Sequence, residues 1–355
     1  MALTVSLLCL FVEAARAEVP AGKLAYIRDG NLYTIETAAS GKPIPGKRPQ
    51  KLTALHRKGI PTALAWSSDG RLIALSMESR PGGTSSLYIV AAKARATLRY
   101  LAEGDAPAFA PQGHLLAYTE AMNGGDRWTD RVCLTDLDTH KTRVLREKAH
   151  TPCWSADGRR IALIDESKNE FTAIVAVVDA ATGRHVAFRQ EAINAESPLL
   201  SPNGRYLAYN PHMSRPPLEA AIADLKIGDT VGVSKPGEPV LDWSPDSQWL
   251  LWTRCIIDPQ NDGSCLWSEV WATTPHGTHS HKMDTGSYAR FTPDGRHVLY
   301  LRQRPRPNAQ PIGLYVADLR GRHRQLVLKD VHEVFAVWLP TTRSSVNTPR
   351  RETKR

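Results

Sequence analysis

Along most of the chain the apolar positions come in short blocks rather than helical stripes. The blocks share one pattern: an aromatic or leucine, a polar turn, then a mostly apolar run. It reads AWSSDGRLIAL around Trp66, AFAPQGHLLAY around Phe109, CWSADGRRIALI around Trp154 and LLSPNGRYLAY around Leu200. It recurs as DWSPDSQWLLW around Trp243 and RFTPDGRHVLY around Phe291. With Trp338 as the last anchor, successive anchors lie 43 to 48 residues apart. That is the period of a four-stranded propeller blade, and shorter solenoid repeats do not fit it.

Each unit predicts four strands. The first ends at the anchor, and a two-residue turn follows: Asp69-Gly70, Gln112-Gly113, Asp157-Gly158, Asn203-Gly204, Asp246-Ser247 or Asp294-Gly295. Such pairs tolerate the positive φ of a tight hairpin. The second strand is apolar on both sides and is expected to lie between neighbouring blades. The third shares an ending (SLYIVAA, RVCLTDL, GLYVADL), and the fourth is short and polar, as suits an exposed edge. Residues 24–36 supply a second and third strand with no first strand before them, whereas residues 335–339 supply a first strand with nothing after it. Pairing the two closes the ring. The expectation is an all-β, seven-bladed β-propeller over residues 22–340, with six blades plus an unrelated terminal strand as the competing count.

The [WF]SPDG-R pattern, as WSSDGR, FAPQGH, WSADGR, LSPNGR, WSPDSQ and FTPDGR, resembles the WD-like β-propeller repeat of TolB-type periplasmic proteins. Related blades occur in the propellers of prolyl oligopeptidase and dipeptidyl peptidase relatives. The resemblance covers nearly the whole chain after its first residues. It implies a fold, because the shared residues are structural in that family. TolB carries an α/β domain before its propeller, whereas here the first strand begins near Leu24. The peptidase relatives append a hydrolase domain, whereas here only a short tail follows the last strand, and the chain contains no G-x-S-x-G elbow.

Composition changes this picture little. The chain is 42% hydrophobic and 23% charged, ordinary for a protein that buries a large core. The formal charge is +9, part of it in the tail, where Arg343, Arg350, Arg351, Lys354 and Arg355 face a single acid, Glu352. The remaining basic residues are scattered, which argues against nucleic-acid binding. Residues 1–17, MALTVSLLCLFVEAARA, have the apolar run and A-x-A-like end of a signal peptide but no basic start. No other run approaches a membrane span. The expected location is periplasmic or secreted, and residues 341–355 are expected to form a disordered basic tail.

In that compartment Cys255 and Cys265 are placed to staple the loop between them, and Cys133 and Cys153 to form a second bridge between neighbouring repeats. The spacings are not those of a zinc site. The cluster His276, His279 and His281 falls at a turn and on an outer strand, far from a central channel, so no metal or other cofactor is expected there.

Variation concentrates in the loops between second and third strands, and rigid scaffolds carry binding residues on such loops. These loops would display Arg80, Arg127, Trp128, His212, Arg215, Arg302, Arg304 and Arg306. Arginine and tryptophan are common binding anchors, and guanidinium groups pair bidentately with carboxylates. Glu78, Glu120, Asp126 and Asp130 on the same face dilute the positive field. The expected function is that of a non-catalytic binding or scaffold propeller for a partner protein or an anionic glycan or peptide. Two alternatives stand beside it. One is a polysaccharide-degrading, lyase-like propeller using channel-facing histidines and a metal, for which His56, His150, His212 and His332 are the candidates. The other is the accessory propeller of a separately encoded peptidase.

Overall fold

The computed structural model describes residues 22–55, 59–122, 129–169, 172–192, 196–210, 220–233, 240–258, 265–307, 309–329, 331 and 335–338. Its regular elements are all strands. The first three are β1 (Gly22–Arg28), β2 (Asn31–Thr37) and β3 (Gln50–Ala54). One seven-stranded sheet then holds β4 (Ile60–Trp66), β5 (Leu72–Glu78), β6 (Ser85–Ala91), β7 (Arg99–Phe109), β8 (Leu115–Glu120), β9 (Arg131–Asp136) and β10 (Lys141–Glu147). Two four-stranded sheets follow: β11 (Ala149–Trp154), β12 (Arg160–Asn169), β13 (Thr172–Asp179) and β14 (His185–Ala192), then β15 (Glu196–Leu200), β16 (Tyr206–Asn210), β17 (Ala221–Asp224) and β18 (Thr230–Gly232). A second seven-stranded sheet holds β19 (Val240–Trp243), β20 (Leu250–Ile257), β21 (Cys265–Thr273), β22 (Ser280–Phe291), β23 (His297–Arg302), β24 (Gly313–Asp318) and β25 (Gln325–Leu328). The last strand, β26 (Phe335–Trp338), pairs antiparallel with β1 and so joins the sheet of β2 and β3. In the seven-stranded sheets one long strand, β7 or β22, serves as the outer strand of one blade and the inner strand of the next. This is a β-propeller.

The apolar second strands are buried on both faces because alternate side chains enter different layers. From β1, Ala25 and Ile27 pack against Ile73, Leu75 and Met77 of β5, whereas Leu24 and Tyr26 pack against Leu299 and Leu301 of β23. From β12, Ala162 and Ile164 face β16, whereas Ile161 and Leu163 face β8 and β9. Each fully buried Leu or Ile stabilises the ring by about 1.5–3 kcal/mol relative to exposure. Only some outer strands are short, such as β18, exposed at every residue, and β25; β10 and β14 run seven and eight residues, and β7 and β22 are long because each continues into the next blade. The anchor tryptophans couple blades: the Trp154 indole donates to the Ala108 carbonyl at 2.9 Å, and that of Trp243 to Leu199 at 3.0 Å.

The turns after the anchors are wider than the two-residue hairpins expected. The Ser67 amide donates to Leu72 O at 2.9 Å and the Gly70 amide to Ser67 O at 2.9 Å, so residues 67–71 form the connection. Only Gly70 of the Asp69-Gly70 pair has a positive φ, 67°. The aspartate caps instead: Asp69 Oδ1 accepts the Ser67 hydroxyl at 2.7 Å and the Arg71 amide at 3.0 Å. Ser155 with Asp157, Ser201 with Asn203, Ser244 with Asp246 and Thr292 with Asp294 repeat the arrangement. These Asp and Asn side chains cap the turns.

Candidate binding face

Strand direction decides which loops meet. The inner strand of each blade runs to its anchor, the second strand returns, and its far end therefore shares a face with the start of the next inner strand. The far ends of β5, β8, β12, β16, β20 and β23 lie on that face.

Arg80 lies in the hairpin between β5 and β6, which is closed by Ser79 N to Thr84 O at 3.0 Å and Gly83 N to Arg80 O at 2.8 Å. Arg304 and Arg306 lie in the loop after β23, held by Arg306 N to Arg304 O at 2.8 Å and Ile312 N to Arg302 O at 2.8 Å. All three side chains are exposed. None forms an ion pair with another described residue. Arg302, at the end of β23, is different: its Nε is 3.2 Å from Asp284 Oδ2, and its guanidinium lies over the Tyr315 ring. The structure therefore brings Arg302, Arg304 and Arg306 to one hairpin but commits the first of them to the fold. Arg127, Trp128, His212 and Arg215 lie outside the described residues.

Two acids of this face are engaged, whereas the Glu78 carboxylate has no partner among the described residues and Asp126 lies outside them. Glu120 Oε2 accepts Arg131 Nε at 2.6 Å, and the Asp130 carboxylate accepts the Met122 amide at 3.1 Å. His150 is buried with its Nε2 3.1 Å from Glu166 Oε1. His56, His212 and His332 lie outside the described residues.

A feature of the inner strands was not anticipated. The pairing of inner with second strand slips in the blades beginning with β4, β11, β15 and β19, and in the inner halves of β7 and β22. Ala106, Thr151, Ser197 and Tyr288 adopt positive φ at these bulges. Immediately before the anchors stand Ala65, Ala108, Cys153, Leu199, Asp242, Arg290 and Val337. Two of these residues carry charge in an otherwise uncharged column, a signal that aligning the repeats reveals. Asp242 Oδ2 accepts the Phe291 amide at 2.8 Å, and Arg290 Nη1 donates to Leu241 O at 2.6 Å. Burial pushes the Asp242 carboxyl up to about 6, against the opposing charge of Arg290. These contacts hold inner strand to inner strand.

The cysteine expectations divide. Cys255 and Cys265 form a disulfide with a Cα–Cα distance of 5.6 Å, tying β20 to β21. Cys133 and Cys153 are free thiols, so the second bridge is corrected. Cys133 packs between β5–β6 and β8, Cys153 between β12–β14 and β16–β17, and the layer around Leu134 and Ile161 lies between them. The histidine cluster is likewise dispersed: His276 stands edge-on to Tyr206, and His281 Nε2 is 2.9 Å from Leu319 O. Among the described residues no group of three His, Cys, Asp or Glu side chains is placed to hold a metal, and no helix is long and apolar enough to cross a membrane.

The chain has a TolB-like β-propeller fold. TolB from Acinetobacter baumannii superposes with a TM-score of 0.51 at 17% identity, over 74% of this chain and 63% of that one. The chain thus spans under two thirds of that TolB. The β-propeller domain of the trilobed protease from Pyrococcus furiosus gives 0.53 at 14% identity, over 76% of this chain and 85% of that domain. Oligogalacturonate lyase in complex with manganese gives 0.54 at 14% identity, over 88% and 86%. At these identities the likeness is one of fold. No protein-family model matches the chain, and no curated protein matches it by sequence.

Proposed function

We propose that this chain is an exported, non-catalytic propeller that engages an acidic partner protein, or an anionic peptide or glycan, through the loop face. The observation that carries this reading is the contrast among its arginines: Arg80, Arg304 and Arg306 are exposed and form no ion pair with another described residue, while Glu120 is neutralised by Arg131. Unpaired guanidiniums on short, hydrogen-bonded hairpins are suited to pair with carboxylates on a partner. We read the sheets as seven blades within one domain, residues 22–340. The two shared long strands support the count, and the β26–β1 pairing supports closure of the ring. Export rests on the leader-like residues 1–17, on the Cys255–Cys265 disulfide and on the likeness to TolB.

The test is a pull-down from the native envelope fraction, with the chain from Glu18 beside a variant carrying Arg80→Ala, Arg304→Ala and Arg306→Ala. Arg302 stays in place because it supports the fold. A partner held by the first, released by salt and lost by the second is the expected result. The same proteins retained by both, or by neither, overturn the reading and direct attention to polysaccharide turnover.

A further inference from the structure

On each second strand one row of side chains faces the preceding blade, as Leu250 of β20 does against Tyr206, Ala208 and Ile222. Near the loop-face end of that row the repeat places Arg28, Met77, Glu120, Asp165, Arg254 and Arg302. The charged members are paired within the protein, with one exception. Glu120 is met by Arg131, Asp165 by Arg146 and Arg302 by Asp284, and Arg28 lies 4.0 Å from Asp29. Arg254 is half-buried and forms no hydrogen bond or ion pair with another described residue. Its guanidinium lies over the Trp271 ring, 5.8 Å from the centroid, and Trp271 stacks in turn on Trp252 at 5.4 Å. Arg28 and Arg302 lie over Tyr33 and Tyr315 in the same way.

Register sets Glu269 of β21 opposite Arg254, but that carboxylate is already taken. Its Oε1 accepts Lys282 Nζ at 2.6 Å, and its Oε2 accepts the Trp271 indole N–H at 3.0 Å. Glu269 thus faces two cations and binds one of them. The same row continues to Ile256, which lies opposite Trp267; both are half-buried, and Ile257 beyond them is exposed. The Trp267 indole N–H has no acceptor either. The Cys255–Cys265 disulfide holds the two strands together at this end. A half-buried guanidinium has lost water without gaining an acceptor, which raises the value of a carboxylate brought to it. The tryptophan behind it holds the fork in place. The apolar ledge one step further along the strand suits a chain that carries a large apolar side chain beside its acid.

We propose that Arg254 is the half-buried anchor of the loop face, and that its acceptor is an aspartate or glutamate carboxylate on a partner peptide segment that also carries a large apolar residue. This inference rests on the reading of the loop face given above and names the part of that face that selects the partner. Exposed Arg80, Arg304 and Arg306 steer the acidic segment in, and Arg254 holds it.

Isothermal titration of the full chain tests this with three probes: a capped hexapeptide alternating glutamate and leucine, its glutamine counterpart, and a tetramer of galacturonic acid. Saturable binding of the glutamate peptide is expected, weakened at least about tenfold by the change to glutamine and likewise by Arg254→Met. Arg254→Lys, which keeps the charge but not the fork, should fall between parent and Arg254→Met. The urea midpoint of Arg254→Met should stay close to the parent's or rise, because no partner within the protein is lost. No saturable binding of the glutamate peptide, or an affinity that Arg254→Met leaves unchanged, overturns the inference. A drop in midpoint as large as that of Arg302→Met reveals a partner inside the fold and also overturns it. Tighter binding of the sugar acid than of the peptide, lost in Arg254→Met, overturns the assignment to a peptide. The pull-down separates this inference from the reading beneath it. A native partner kept by Arg254→Met but lost by the triple arginine variant removes Arg254 from the site and leaves the loop face standing.

Discussion

Arg302 Nε lies 3.2 Å from Asp284 Oδ2, and that carboxylate also accepts the Tyr300 hydroxyl at 2.5 Å and Arg324 Nη1 at 3.3 Å. Asp284 is almost wholly buried, so removing a partner leaves a charge poorly compensated. Arg302→Ala should therefore lower stability by about 1–3 kcal/mol. Arg304→Ala and Arg306→Ala, both exposed, should stay within about 0.5 kcal/mol of the parent. Urea unfolding separates the two classes. Equal losses at all three positions would remove the distinction between structural and binding arginines.

His114 joins two blades by Nε2 to Asp69 Oδ2 at 3.0 Å and Nδ1 to Asp138 Oδ1 at 2.8 Å. The bonds to Asp138 and Asp69 raise its pKa above the ordinary 6.5. Burial alone would raise the Asp69 carboxyl, but Ser67, the Arg71 amide and His114 outweigh it and hold it below 3.8. The histidine's contribution is thus complete below about pH 6.5 and is lost as pH rises through its raised folded value. The aspartate's contribution is complete above about pH 3.9 and is lost as pH falls through its depressed value. Urea midpoints from about pH 5 to about pH 9 should show the parent falling relative to His114→Gln as pH rises. A pH-independent difference between the two would contradict this latch.

What the sequence announces here is what neighbours in the chain decide. The Ser-x-Asp-Gly turns, the doubly buried second strands and the polar outer strands each follow from a few consecutive residues. The Cys255–Cys265 bridge was legible because both ends flank one loop. The pairing of Arg302 with Asp284 was not, because the carboxylate arrives from the half of β22 that pairs with β21, in a different blade. The inner-strand bulges at Ala106, Thr151, Ser197 and Tyr288 depend on how strands slip past one another around the ring. Asp242 and Arg290 were overlooked because each looks ordinary until the repeats are stacked column by column.

The two free thiols should be silent in the native protein. Burial foremost, with the Glu120 charge, pushes Cys133 up to about 12. Burial again, with Asp242, pushes Cys153 up to about 11, against a hydrogen bond from the Leu200 backbone. A chain beginning at Glu18 should show no fast reaction with a thiol reagent at neutral pH and two reactive thiols after unfolding. Replacing Cys255 and Cys265 with serine should cost about 2–3 kcal/mol, the loop-entropy value for a closure of this length. Rapid native labelling of Cys153 would mean that the inner strands open far more readily than their packing indicates.

Two glycines with nearly the same backbone conformation should respond differently to alanine. Gly46 has φ +80° and Gly183 φ +69°, so both substitutions incur the left-handed penalty of about 1–2 kcal/mol. Around Gly46 a new methyl group meets nothing within 4 Å. At Gly183 it would press into the Leu145 carbonyl oxygen of β10, closer than atoms can approach. Gly183 sits in the turn between β13 and β14, where that blade touches the preceding one, and a methyl there must push the two apart. Gly46→Ala should cost about 1 kcal/mol, and Gly183→Ala about 3 kcal/mol or more, read from urea midpoints. Similar costs at both sites would show that backbone strain alone matters and that the contact between blades yields freely.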